Sequence, residues 1–234
     1  MSDSLLQLSA IDIATGSNPL YTVLWMHGLG ADGNDFVPVV QTLDLPATPI
    51  RFLFPHAPLQ PVTINGGHTM RAWYDIQHTD FIKQEDKAGL YRSQRAIVAL
   101  IEHENQRGIP SSHIILAGFS QGAAMALHVG LRHPDKLAGI MVLSGYLPLV
   151  HEIRQEAHVA NQLTPIFMAH GSYDPVVPVK LAQSSLQLLR DYHYSVDWHE
   201  YPIAHAVCDQ ELIDISRWLK NILKEALISD HQNR

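Results

Sequence analysis

The run His113-Ile-Ile-Leu-Ala-Gly-Phe-Ser-Gln-Gly-Ala-Ala-Met-Ala-Leu-His128 restricts the fold more than any other stretch of the chain. It opens with a short apolar segment ending at Ala117, passes through Gly118-Phe119-Ser120-Gln121-Gly122, and continues into small, helix-compatible residues. The order predicts a strand, a sharp turn and a helix. A serine pressed into so tight a turn has strained backbone angles, and the residues two before and two after it must be small enough for close backbone packing. Gly118 and Gly122 meet that need.

Such a turn lifts the Ser120 hydroxyl above the sheet edge and leaves the Gln121 N–H free at a helix N-terminus, where the dipole favours negative charge. A nucleophile and half of an oxyanion hole then come as one unit. The same residues also fit an ordinary strand-to-helix turn with a serine N-cap. The motif alone does not choose between them, because Gly-x-Ser-x-Gly should arise by chance in roughly one chain in a dozen of this length.

The 234 residues suffice for a sizeable core, and no linker divides them, so one domain over residues 1–234 is expected. A net charge of −7, with 16 scattered Lys and Arg, supplies no basic stripe and argues against nucleic-acid binding. Cys208 is the only cysteine, which rules out an internal disulfide and suits a reducing compartment. The N-terminal Met1-Ser-Asp-Ser-Leu-Leu lacks a signal-peptide pattern, and Ser2 is neither the glycine that myristoylation needs nor a cysteine open to acylation. The expectation is a cytoplasmic protein without a membrane anchor. Of the 15 histidines, none forms His-Glu-x-x-His or a zinc spacing, so neither a metal nor another cofactor is expected.

Strand candidates at Thr22–Met26, Ile50–Phe54, Leu137–Leu143, Pro165–Ala169 and Ser195–Tyr201 alternate with helical patterns at 89–107, after Ser120, up to about Tyr192, and from Asp209 to about Leu227. Alternation of this kind implies an α/β fold, with a mainly parallel central sheet, helices on both faces, and active groups at the carboxyl ends of the strands. Residues from about 56 to 88 show no clear periodicity and carry several prolines and glycines, together with Trp73, Tyr74, Ile76, Phe81 and Ile82. A segment of that length reads as a lid or binding loop.

Three residues stand just past strand ends in the order Ser120, Asp174, His205. A serine hydroxyl is a poor nucleophile until an imidazole takes its proton, and the imidazole needs a carboxylate to fix its tautomer. The order is that of α/β-hydrolases, in which the loop after an early strand gives the second oxyanion donor. Leu29, between Gly28 and Gly30, is the candidate for that donor. Individually, Asp174 before Pro175 also fits a turn-forming role and His205 a turn histidine. His170 and His199 are rival bases, though His170 precedes Asp174 in the same loop and His199 falls inside a strand.

Gly118-Phe-Ser-Gln-Gly-Ala-Ala-Met125, His27-Gly-Leu-Gly-Ala-Asp-Gly-Asn-Asp35, Ala72-Trp-Tyr-Asp75, Gln84-Glu-Asp86 and His170-Gly-Ser-Tyr-Asp-Pro-Val-Val-Pro178 together resemble the acyl-protein thioesterase and carboxylesterase family, also described as lysophospholipases. The resemblance runs from about Val23 to Leu223 and implies an α/β-hydrolase fold. It implies Ser120, Asp174 and His205 as a triad, and Leu29 and Gln121 as oxyanion donors. It also implies an apolar groove for an acyl chain, partly formed by the loop around Trp73; the apolar Val176 and Val177 beside Asp174 read as further groove residues. Ala204 stands where many bacterial members have glycine.

The resulting expectation is a serine hydrolase that cleaves acyl esters or thioesters through an acyl-Ser120 intermediate, acting on an S-acylated protein, a lysophospholipid or a small ester. A short-chain carboxylesterase without protein substrates is the alternative within enzymes. A catalytically silent binding protein on the same fold is the alternative outside them. Nothing in the sequence specifies an oligomer.

Overall fold

In the computed structural model the described residues are 8–232 apart from 82, with side chains described as far as 223. The N-terminal Met1 to Leu6 stretch and Ile82 therefore lie outside the described residues. The chain forms strands β1 (Ala10–Ala14), β2 (Tyr21–Met26), β3 (Ile50–Pro55), β4 (Leu59–Val62) and β5 (His68–Arg71), then helix α1 (Lys87–Gln106). Strand β6 (Ile114–Phe119) and helix α2 (Gln121–Arg132) follow, then β7 (Gly139–Leu143) and the short α3 (Ile153–Glu156). The last part holds β8 (Ile166–Gly171), α4 (Val179–Asp191), β9 (Val196–Tyr201) and α5 (Asp209–Gln232).

Seven strands make one sheet in the order β1-β3-β2-β6-β7-β8-β9. All neighbours are parallel except β1, which runs antiparallel to β3 at the edge. The central strands are apolar throughout because both sheet faces are covered. Alternate residues of β2 and β6 therefore serve two separate cores. Leu24, Met26 and Leu116 pack with Leu90 and Ile97 of α1 and Met125 of α2. Val23, Trp25, Ile115 and Ala117 belong to the opposite core, which also holds Ile215, Trp218 and Leu219 of α5. At roughly 1.5–3 kcal/mol for each large apolar side chain buried, these two layers dominate stability.

The sheet order reverses direction at β2. The chain moves from β2 outward to β3 and later returns to β6 on the other side of β2. Loops leaving the carboxyl ends of β2 and β6 consequently diverge and leave a crevice, the usual ligand site of an open α/β sheet. The first of these loops begins at His27 and the second is the Ser120 turn.

Several elements differ from the sequence expectation. Strand β1 is additional; its Ile11 and Ile13 pack against a core while the rest of the strand stays partly open. The 56–88 segment is not wholly irregular, because β4 and β5 pair as an antiparallel hairpin across Gly66 and Gly67. Helix α1 begins at Lys87, two residues early, since Asp86 caps it by accepting from the Gly89 N–H at 2.9 Å. Strand β8 extends through Gly171, which places His170 inside the strand.

Candidate active site

Ser120 occupies the turn between β6 and α2 with φ 55° and ψ −118°, a backbone region that L-residues avoid. Holding it there costs on the order of 1–3 kcal/mol, which the surrounding packing must offset. Part of that packing is glycine-dependent. A β-carbon on Gly118 would lie 2.2 Å from the Gly122 carbonyl, and one on Gly122 would lie 2.2 Å from the Met26 carbonyl oxygen. The Ser120 N–H donates to the Leu143 carbonyl at 2.8 Å. Ser120 stands at the N-cap position of α2, but its hydroxyl makes no capping bond to the helix.

Asp174 has a side chain with no solvent exposure. Its Oδ1 accepts from the N–H groups of Val176 and Val177, at 2.8 and 2.9 Å. Its Oδ2 meets His205 Nδ1 at 2.6 Å. The carboxylate thus both folds its own loop and holds an imidazole. A carboxylate only accepts, so the proton of neutral His205 sits on Nδ1 and Nε2 carries the free lone pair. The His205 ring packs against Phe119, the residue before Ser120, with centroids 4.7 Å apart. Its loop is fastened to the end of β8 by the Tyr173 N–H, which donates to the Ile203 carbonyl at 3.0 Å.

The rival histidines are placed otherwise. His170 is buried, donates from Nε2 to the Val177 carbonyl at 2.8 Å, and lies 3.4 Å from Asp174 Oδ2. Burial lowers its pKa, so it is a neutral prop beneath the Asp174 loop. His199 lies inside β9, stacks on Phe167 and faces Asp197 and Asp214 rather than Asp174.

Neither the Leu29 nor the Gln121 main-chain N–H meets an acceptor among the described residues. His27 explains how Leu29 is aimed. The Ala57 N–H donates to its Nε2 at 3.0 Å, which leaves the ring hydrogen on Nδ1, 2.7 Å from the Gly28 carbonyl. In a trans peptide the carbonyl and the following N–H point in opposite directions. Fixing the Gly28 carbonyl therefore fixes the Leu29 N–H. Burial lowers the His27 pKa and keeps the ring neutral, as this tautomer requires.

A cavity of about 160 Å³ opens beside Ser120 and Gln121, walled by Leu29, Ile64, Asn65, Tyr74, Ile76, Phe81, Tyr146, Val176 and Val177. Two larger hollows, of about 480 and 460 Å³, lie away from Ser120 among charged surface chains such as Arg51 and Glu102, or Asp44 and Lys220. Among the described residues no group of three or more His, Cys, Asp or Glu is arranged to hold a metal ion. No described helix is long and apolar enough to cross a membrane.

Residues 11–223 match the model of the phospholipase/carboxylesterase family. The chain belongs to that family. It is 39% identical over 225 residues to acyl-protein thioesterase 1 of Neurospora crassa, covering 90% of each chain. Over 210 residues it is 35% identical to acyl-protein thioesterase 1 of Yarrowia lipolytica, covering 87% of this chain and 92% of the relative. The crystal structure of Zea mays acyl-protein thioesterase 2 superposes with a TM-score of 0.80 at 26% identity, over 92% of this chain and 99% of that one. The protein is accordingly an α/β-hydrolase of the esterase and thioesterase type.

One expected wall of the hydrolase's cavity is elsewhere. Trp73 is fully buried, its indole N–H donates to the His27 carbonyl at 2.9 Å, and it is not among the residues lining the cavity; its neighbour Tyr74 is. The backbone there turns Trp73 inward because Gln121 clasps it. Gln121 Oε1 accepts from the Trp73 N–H and Nε2 donates to the Tyr74 carbonyl, each at 2.8 Å. Sequence reasoning missed this second use of Gln121 and the wall residues Ile64 and Tyr146. An amide side chain directly after the serine, on an otherwise small-residue helix, was the available signal.

Proposed function

We propose that the hydrolase cleaves acyl esters or thioesters by a two-step acyl transfer in which Ser120 is the nucleophile, His205 the base and Asp174 its orienting carboxylate. The observation that carries this reading is the 2.6 Å contact between Asp174 Oδ2 and His205 Nδ1, which leaves Nε2 as the proton acceptor. His205 Nε2 takes the Ser120 hydroxyl proton as the oxygen attacks the acyl carbonyl. The negative charge that develops on the carbonyl oxygen is met by the Leu29 and Gln121 N–H groups. The proton then passes from His205 to the departing alcohol or thiol, and an ester remains on Ser120. Water, deprotonated by the same histidine, releases the carboxylic acid. No cofactor or metal enters these steps.

The cavity beside Ser120, with Val176 and Val177 in its wall, holds the acyl chain in this reading. S-acylated proteins and lysophospholipids are the larger substrates it takes up, with the acyl portion inside and the remainder outside. The cavity volume supports a second reading, a carboxylesterase for shorter acyl groups. A hollow of about 150 Å³ accommodates a ligand the size of benzene, or about six carbons, and this one is about 160 Å³. We place the enzyme in the cytoplasm as one hydrolase domain. Turnover of a hexanoyl thioester by Ser120→Ala, His205→Ala and the double variant tests the assignment. Each single change should lower turnover by orders of magnitude, with little further loss in combination. Near-normal turnover in His205→Ala contradicts it.

A further inference from the structure

The Tyr74 and Tyr146 hydroxyls meet at 2.9 Å, and the residues are 4% and 2% exposed. Two hydroxyls carry two hydrogens, and the bond between them uses one. No described residue accepts the other. Glu85, whose charge reaches both rings, spends Oε1 on the Leu149 N–H at 2.7 Å and bonds neither hydroxyl. Both rings line the Ser120 cavity, and the other polar residues there bond neither hydroxyl: Gln121 is committed to the Trp73 N–H and the Tyr74 carbonyl, and Asn65 to Met70. A buried donor without a partner is unfavourable, and a ligand oxygen at that point relieves it.

We propose that this cavity selects acyl chains bearing a neutral oxygen, as a ketone, hydroxyl or ester carbonyl, placed to accept the spare hydrogen of the Tyr74–Tyr146 pair. The inference rests on the reading of the cavity as the acyl site. A carboxylate on the chain is disfavoured, because the burial that raises the Glu85 pKa penalises a further charge beside it. A plain hydrocarbon chain fits the space but leaves the hydroxyl hydrogen unused.

The test compares kcat/KM for hexanoyl, 4-oxohexanoyl and 5-oxohexanoyl thioesters of one leaving group. The native enzyme should favour one oxo isomer over hexanoyl by about threefold or more. The Tyr74→Phe and Tyr146→Phe variants each retain one hydroxyl hydrogen and should keep a preference. The double variant has none, and its oxo-to-hexanoyl ratio should be about tenfold lower than the native ratio. A native enzyme that favours hexanoyl over both oxo isomers, or a ratio unchanged in the double variant, overturns the proposal. Competitive inhibition of the unaltered enzyme gives a readout independent of the variants' folding: 2-hexanone must inhibit more tightly than 2-methyl-1-hexene, the same shape without oxygen, and equal inhibition overturns the proposal. Ser120-dependent hexanoyl hydrolysis without oxo preference overturns this inference alone, whereas hydrolysis that survives Ser120→Ala overturns the acyl-enzyme reading with it.

Discussion

Replacing Gln121 by leucine separates the two duties of this residue, since its main-chain N–H stays while its side-chain amide goes. Gln121 is 3% exposed, and its amide satisfies both the Trp73 N–H and the Tyr74 carbonyl. Leucine is of similar volume, so the change leaves little cavity and acts through the two orphaned backbone groups. Each buried unpaired group costs about 1–3 kcal/mol, giving a loss of about 2–6 kcal/mol against a total stability of roughly 5–15 kcal/mol. At a urea dependence of about 2–3 kcal/mol per molar, the unfolding midpoint should fall by about 0.7–3 M. Because Tyr74 walls the cavity, loosening the clasp should also lower kcat/KM for a hexanoyl ester more than for an acetyl ester. Urea unfolding followed by tryptophan fluorescence, with the two ester rates measured beside it, decides the matter. An unchanged midpoint together with an unchanged hexanoyl-to-acetyl ratio refutes the clasp as the link between the serine turn and the acyl wall.

Three further outcomes follow from the same geometry. Lengthening an unsubstituted acyl chain should raise kcat/KM by about fourfold per methylene, at about 0.8 kcal/mol each, and level off near six carbons; a rise continuing to twelve carbons, measured below the micelle thresholds, would contradict the cavity volume. His27, His128 and His170 are all held below their ordinary 6.5 by burial, His128 down to about 3. The unfolded chain therefore binds more protons below that point, and stability should fall as pH drops through about 6.5 toward 3. Neither ring nitrogen of His128 has a hydrogen-bond partner among the described residues, so His128→Leu should flatten this acid slope in denaturant titrations. Glu211 is shifted the other way, raised by burial from 4.5 to about 8. The folded form keeps its proton where the unfolded form has lost it, so stability should decline as pH rises from 4.5 to about 8 and then level; Glu211→Gln should remove that decline, and an unchanged profile would place Glu211 in water.

The sheet and its carboxyl-end loops were legible because they are written in local patterns. Apolar runs at Thr22–Met26 and Ile50–Phe54 and the glycine spacing around Ser120 each specify backbone geometry within a few residues. Strand β1 was not legible, because a short Ala-Ile-Asp-Ile-Ala segment with one face half open carries little periodic signal. The β4–β5 hairpin was obscured by Pro61 and by exposed positions, although Gly66-Gly67 marked its turn. The cavity wall depended on contacts remote in sequence. Trp73 and Tyr74 look interchangeable as adjacent aromatics, and the clasp from Gln121, 48 positions away, together with the Trp73 indole bond to His27, holds one inward while the other lines the cavity. The Tyr146 partner of Tyr74 is 72 positions distant, and no spacing rule joins them.

An acyl-enzyme on Ser120 underlies every catalytic step proposed for this hydrolase, and it can be trapped. The enzyme is mixed with a hexanoyl thioester, quenched in acid during turnover, digested and mapped by mass spectrometry. The expected result is a hexanoyl adduct on the peptide containing Ser120, confined to that residue by fragmentation, and its absence from Ser120→Ala along with turnover. An adduct on another residue, or hydrolysis by Ser120→Ala at the native rate, would contradict the mechanism.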